Sequence, residues 1–390
     1  MINMKPTRRV LVVLVATFTI LVATSGAITR IAAHGATTRN TPAARVRVVI
    51  PPDGSAYYGV QLSWDVDTPA AYTSRLGKAP LVYGDYRTFP LSSTDKLALS
   101  QEVDEIAAAH GKLMLTVEPL GGLSTVTSPA ISDLVSALAD YNSRGVDVFV
   151  RFAQEMNGSW YPWGQHPGAY VTAFRNVAKA VHQGAPNSVM VWGPNYGGGY
   201  PFPGGAYNVQ PGTTAFKTLD TNHDGVLTMD DDPYGPYYPG DAYVDWVGFT
   251  DYHWGNSWPW GENDLPEAGK FVADLTGTYN GLLGDETAVP DFYATYAVGH
   301  NKPFVLTETS ALYNPDRTDG ASDYDIKMDW ANQVFASDLT TQFPRFKMVL
   351  WFEHYKSETG TGTVDWRVTY DPTILAGYQS VLPSWLIFAT

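Results

Sequence analysis

A chain of 390 residues with a net charge of −14, 44 % hydrophobic and 16 % charged residues has enough apolar material for a large core, which excludes a disordered protein. The acidic balance, with no basic stripe beyond the N-terminus, excludes a phosphate-backbone ligand, so no nucleic-acid partner is expected. The absence of cysteine removes disulfides, thiolate metal sites, cysteine nucleophiles and a lipoprotein acylation site.

In chain order, Lys5, Arg8 and Arg9 precede an apolar run from Val10 to Ile28, with small residues at Ser25, Gly26 and Ala27. Residues 1–28 therefore read as a signal peptide or an uncleaved signal anchor. Either way the charges lie on the N-terminal side, so the body is expected to be secreted or extracytoplasmic, with membrane contact only through that segment. Residues 29–45 read as a linker. Barrels of roughly 250 residues and more form single domains, so 46–390 is read as one catalytic domain.

Apolar, β-rich runs then recur at Tyr58–Leu62, Leu81–Tyr83, Leu113–Val117, Asp147–Phe152, Val189–Trp192, Val244–Phe249, Phe304–Thr307 and Met348–Phe352. Helical periodicity fills the gaps at Asp95–Ala109, Ile131–Asn142, Ala169–Gln183 and Tyr324–Phe343. Strands alternating with helices predict βαβ units and a parallel sheet. Eight such strands predict an α/β fold, a single (β/α)8 TIM barrel. A doubly wound nucleotide-binding sheet would need a Gly-rich turn after the first strand, where this chain has Ser63, Trp64 and Asp65.

Barrel chemistry sits where strands end. The fourth strand runs through Arg151 into Gln154, Glu155 and Asn157, followed by Trp160, Tyr161 and Trp163; the seventh ends Thr307, Glu308, Thr309. Glu118 and Glu353 end two further strands and are also candidates for the cleft wall, although alternation with Trp351 and Phe352 turns Glu353 sideways. Two carboxylates flanking an acetal can split its hydrolysis into two displacements, one staying ionised as nucleophile and the other acting first as acid and then as base. Arg151 precedes Glu155 by four residues on the same face of its strand, where it would hold a carboxylate charged or serve a structural ion pair. Trp254, Trp258 and Trp260 read as an aromatic loop over the cleft or as a self-packed one.

The run Arg151-Phe-Ala-Gln-Glu-Met-Asn-Gly-Ser-Trp-Tyr-Pro-Trp-Gly resembles the acid/base motif of glycoside hydrolase family 26. Met190 to Asn195, Tyr243 to Tyr252, Thr307 to Thr309, Trp351-Phe352 and Asp365-Trp366-Arg367 are similar to further signatures of that family. The resemblance runs from about Tyr57 to about Asp371. The family includes β-mannanases, mixed-linkage β-glucanases and β-1,3-xylanases that retain anomeric configuration on a (β/α)8 barrel. The resemblance implies Glu155 as acid/base, Glu308 as nucleophile, Tyr252 as a hydroxyl beside the nucleophile, and Trp160 and Trp351 as walls of the sugar site. Trp163, Arg151 and Gln154 complete the expected substrate-binding set. The implied activity is that of an endo-acting β-glycanase, a monomer working on mannan or β-glucan without a catalytic cofactor. The family's His before the acid/base is replaced by Gln154, which can donate a hydrogen bond but carries no proton. That departure keeps open a second reading, a non-catalytic glycan-binding protein on the same barrel.

Between the fifth and sixth strands, an insertion over 213–240 holds Asp220, Asn222, Asp224, Val226 (through its carbonyl) and Asp231, in the order of an EF-hand loop with Gly225 at its sixth position. This predicts a structural Ca²⁺ in a loop, against the alternative of an Asx-rich turn with no metal.

Overall fold

The computed structural model describes residues 48–390 apart from 257–259, 282–283 and 359. The expected signal segment, the linker and Trp258 lie outside the described residues. No helix among the described residues is long and apolar enough to cross a membrane.

Among the described residues, eight parallel strands close into a barrel: β1 (Ala56–Leu62), β2 (Val82–Thr88), β3 (Lys112–Glu118), β4 (Val148–Phe152), β5 (Ser188–Trp192), β6 (Trp246–Thr250), β7 (Phe304–Thr309) and β8 (Phe346–Glu353). Each pairs with its neighbours in sequence order. The ring closes where β1 meets β8, from Tyr57 opposite Met348 to Leu62 opposite Glu353. Helices cover the outside, so the strands are buried on both faces and read as continuous apolar runs. Alternation along each strand sorts the two faces. Tyr57, Met114, Phe149, Val191, Trp246, Val305, Met348 and Leu350 fill the interior. Tyr58, Leu115, Val150, Phe249, Leu306, Val349 and Trp351 belong to the layer that meets the helices.

The helices start where the chain offers caps. Thr68 caps α1 (Pro69–Leu76), with Pro69 preset for the first turn. Ser92 and Asp95 form a reciprocal capping box at α2 (Ser93–Ala108), and Thr127 caps α3 (Ser128–Ser143). The periodicity over Tyr324–Phe343 predicts one helix. The structure instead ends a helix, Asp323–Val334, and starts a separate turn at Leu339–Gln342. The break falls where Phe335 packs against Trp351 and Tyr378.

Several connections at the C-terminal ends of the strands are long. The one between β5 and β6 carries a short helix, Thr214–Leu219, then the acidic loop, then a single 3-10 turn, Gly235–Tyr237. No helix pair of the EF-hand kind frames that loop.

Candidate active site

Arg151 follows Phe149 on the inward face of β4 and is fully buried. Past Phe152 the chain bends sharply: Ala153 and Glu155 both take positive φ, 48° and 52°, a region that non-glycine residues occupy only when their surroundings impose it. Several bonds impose it here. Glu155 N donates to Gly193 O at 3.0 Å, and Trp163 Nε1 donates to Gln154 O at 2.6 Å. Asn157 and Asn195 exchange side-chain and backbone bonds at 2.8 and 2.9 Å, which ties the loop after β4 to the loop after β5.

Glu308 reaches the barrel mouth by a different device. Phe304 and Leu306 face the helices and Val305 faces in, so strict alternation would send Glu308 outward. It does not go there, because β7 carries an extra residue relative to both neighbours. Leu306 pairs with Phe249 and Glu308 with Thr250 on one side; Leu306 pairs with Val349 and Thr309 with Trp351 on the other. This bulge at Thr307 re-aims Glu308 to the inner face.

There Glu308 meets Arg151, whose Nη1 donates to Oε1, and Tyr252, whose hydroxyl donates to Oε2 at 2.6 Å. Arg151 Nη2 is held by Thr250 Oγ1 at 2.6 Å. The buried Tyr86 hydroxyl lies beside the same carboxylate. Burial raises the Glu308 pKa, but the Arg151 charge and these hydroxyls outweigh it and hold the carboxyl below its ordinary value. Glu155 has the opposite balance. Burial and the Glu308 charge push it up to about 7, against the pull of Arg151 and of Trp160 Nε1, which donates to Oε2 at 2.9 Å. The barrel therefore holds two glutamates, one kept ionised and one kept able to carry a proton near neutrality.

The remaining expected residues divide. Trp160 stands exposed beside Glu155 with Phe202 at 5.1 Å, an aromatic platform at the cleft edge. Gln154 is buried behind Glu155 and donates to Glu118 at 2.6 Å. Trp163 is fully buried and stacked under Tyr161 at 4.4 Å, so it supports the platform from below. Trp351 does not line the cleft. It is fully buried against Phe335 and Tyr378 because, next to the inward Leu350, its place on β8 faces the helices. The inward place belongs to Phe352, which joins Trp366, Tyr252, Trp254 and Trp260 in a cluster at the mouth. Sequence reading missed Thr250, Tyr86 and the placement of Trp366. The inward register of β2 and β6 could have found the first two, but Trp366 comes from a loop beyond β8.

The acidic loop closes on itself. Asp220 accepts from the Asp224 and Gly225 amides at 3.1 Å each, and Asp231 accepts from the Thr221 and Thr228 amides at 2.7 and 3.0 Å. Asp224 accepts from the Val226 amide, and Asn222 bonds Asp224. Among the described residues no three acidic or histidine side chains converge as a metal site. As folded, the carboxylates of Asp220, Asp224 and Asp231 accept from amides of their own loop in a chain of Asx-type bonds.

A scan against models of known protein families finds no match. Endoglucanase H of Acetivibrio thermocellus is 25 % identical over 301 residues, which cover 74 % of this chain and 26 % of that protein. The chain thus matches about a quarter of that relative's length. Among solved structures, a modular endo-β-1,4-mannanase from Cellulomonas fimi, of glycoside hydrolase family 26, matches with a TM-score of 0.54 at 16 % identity, covering 86 % of this chain and 73 % of that one. A GH5-4 broad-specificity endoglucanase from Clostridium longisporum matches with a TM-score of 0.50 at 12 % identity, covering 86 % of this chain and 98 % of that one. The fold is thus a (β/α)8 barrel, similar to that of the family 26 mannanase and to that of the GH5-4 endoglucanase.

Proposed function

We propose that the chain is a retaining, endo-acting β-glycanase that hydrolyses a β-linked polysaccharide of mannan or β-glucan type by double displacement. The observation that carries this reading is the buried pair Glu155 and Glu308 around one guanidinium, with their pKa values driven apart. The names of the similar enzymes support the substrate class, and the family 26 resemblance supports retention.

In the first step a Glu308 oxygen attacks the anomeric carbon, the glycosidic C–O bond breaks, and the Glu155 proton goes to the leaving oxygen. In the second, water attacks the same carbon, Glu155 takes its proton, and Glu308 leaves as a carboxylate. Tyr252 and Arg151 hold Glu308 aligned and charged at the start of the cycle. Trp160 Nε1 stabilises Glu155 in its carboxylate form, the one that acts as base. Only the glycan and water are consumed, and both carboxyl groups are regenerated, so these steps call for no cofactor. A monomer is part of the proposal, and so is an extracytoplasmic location, the latter on the N-terminal sequence alone. Structural calcium in the acidic loop has only the order of its residues in support.

Glycan binding without turnover is the second reading, and Gln154 in place of the family's His favours it. Sugar release from β-mannan, mixed-linkage glucan, β-1,3-xylan and xylan decides between the two. Cleavage of one polymer, abolished in Glu155→Ala and Glu308→Ala, establishes the enzyme, and the anomer first seen by NMR tests retention. Binding of a polymer by folded protein that cleaves none of them rejects it.

A further inference from the structure

Two glutamates at the barrel rim receive very different treatment from the fold. Glu353, the last residue of β8, is 2 % exposed and accepts from the Val368 and Thr369 amides and the Thr369 hydroxyl. That carboxylate is committed to holding the loop after β8. Glu118, the last residue of β3, is only partly buried, and the described residues give it one donor, Gln154 Nε2 at 2.6 Å. Gln154 is itself 1 % exposed, and its Oε1 is buried with no partner. A buried amide oxygen without a donor is a cost that an arriving N–H or O–H relieves.

The pair belongs to the cleft. Glu118 lies in the field of Glu308, Arg151 and Lys356. On the same floor, His354 stacks on Phe352 at 4.1 Å with its Nε2 buried and unpartnered, and it too lies in the Glu308 field. The Tyr86 hydroxyl, buried beside Glu308, adds a further polar group to this floor. The partly exposed Glu118 carboxylate is acceptor-only when ionised, and its chemical complement is a donor. On a neutral glycan the donors are ring hydroxyls.

We infer that Glu118, positioned by Gln154, is a specificity-determining residue that accepts hydroxyl hydrogens from the sugar ring seated against Glu308. The inference rests on the glycanase reading above. It also assigns work to the Gln that stands where the resembled family has His. A neutral amide does not titrate, so Gln154 donates to Glu118 at any pH, and Glu118 accepts wherever its own carboxyl, raised by burial, is ionised. Glu118 is the substrate contact and Gln154 the positioning residue.

The test uses the full chain and aryl β-glycosides of whichever sugar the polymer panel identifies, with a set of analogues each lacking one ring hydroxyl. Wild type is expected to disfavour one deoxy analogue. Glu118→Gln keeps the shape but loses the charge, and kcat/KM on the parent sugar is expected to fall about 10- to 100-fold, the scale of one charge-assisted hydrogen bond. The discrimination against that analogue should vanish with it, a change that a merely structural role would not produce. Gln154→Ala should lose part of the same discrimination. Unchanged kcat/KM in Glu118→Gln, or an equal loss on parent and deoxy sugars, overturns the inference. If Glu118→Gln does not fold, as judged by its melting curve, Glu118→Asp shortens the reach and gives the same readout. If wild type cleaves nothing, the glycanase reading has failed and calorimetry with oligosaccharides takes over. Weaker binding in Glu118→Gln then still supports the contact, whereas equal binding, or none by wild type, overturns it.

Discussion

The barrel mouth and the loop at 220–231 are both rich in carboxylates, yet they have opposite fates. In the loop the carboxylates of Asp220, Asp224 and Asp231 turn to amides of the same loop, so their charge serves the turn that carries them. At the mouth, Glu308 is met by an arginine from another strand, 157 residues distant in sequence, and Glu155 accepts from the Trp160 indole N–H. The comparison teaches that acidic density does not make a reactive site. What matters is the kind of partner: backbone amides of the same loop in one place, side chains gathered from several strand ends in the other.

The largest expected effect comes from removing the mouth's carboxylates. Glu155→Ala should lower kcat by about 10²–10⁴-fold, the usual contribution of a positioned acid and base, and Glu308→Ala should lower it further because no covalent path remains. Steady-state rates on the cleaved polymer measure both, and a Glu308→Ala protein with near-native kcat would remove the mouth's claim to chemistry.

Next comes Arg151→Met. It leaves Glu308 buried without its cation, which is expected to destabilise the fold by about 3–5 kcal/mol in denaturant unfolding. It should also raise the Glu308 pKa and move the acid limb of the rate profile to higher pH. A stable variant with an unmoved limb would mean that the ion pair is ornamental.

Asp231→Ala tests the other region. Losing the acceptor for the Thr221 and Thr228 amides should cost about 1–3 kcal/mol, with kcat unchanged. On the geometry of this loop, chelation should leave the melting temperature where it is. A fall on chelation that calcium reverses would restore the metal reading and break the comparison.

The smallest effect is on the alkaline limb. Glu155 is pushed up to about 7, so activity should be full below that pH and decline as the acid loses its proton above it. The Trp160 N–H favours the charged form, so Trp160→Phe should move this limb upward. A downward shift would show that the indole acts only through stacking.

Much of this was legible in the sequence. The apolar runs of β3, β4 and β8 announce strands buried on both faces, and the segment from Arg151 to Gly164 carries acid, platform and support in one stretch. Three things were not legible, each for a physical reason. Trp351 sits beside Phe352, and only the register against Leu350 decides which ring faces sugar and which faces helix. Trp366 reaches the mouth from a loop whose path no periodicity encodes. The acidic loop has the residue order of a cation site, but side chains choose between a cation and their own amides in three dimensions, and the order is compatible with either.

The bulge at Thr307 has a consequence for anyone who would build or shorten such a barrel. Pair Thr307 in step with both neighbours instead of bulging it, and β7 returns to even alternation, with its apolar positions still on their proper sides and every helix still in place. The protein would be expected to fold, and its glutamate would point into the wrong layer. Catalysis here depends on a count as well as on a composition: an odd residue in a strand of otherwise ordinary parity turns a wall into an active site.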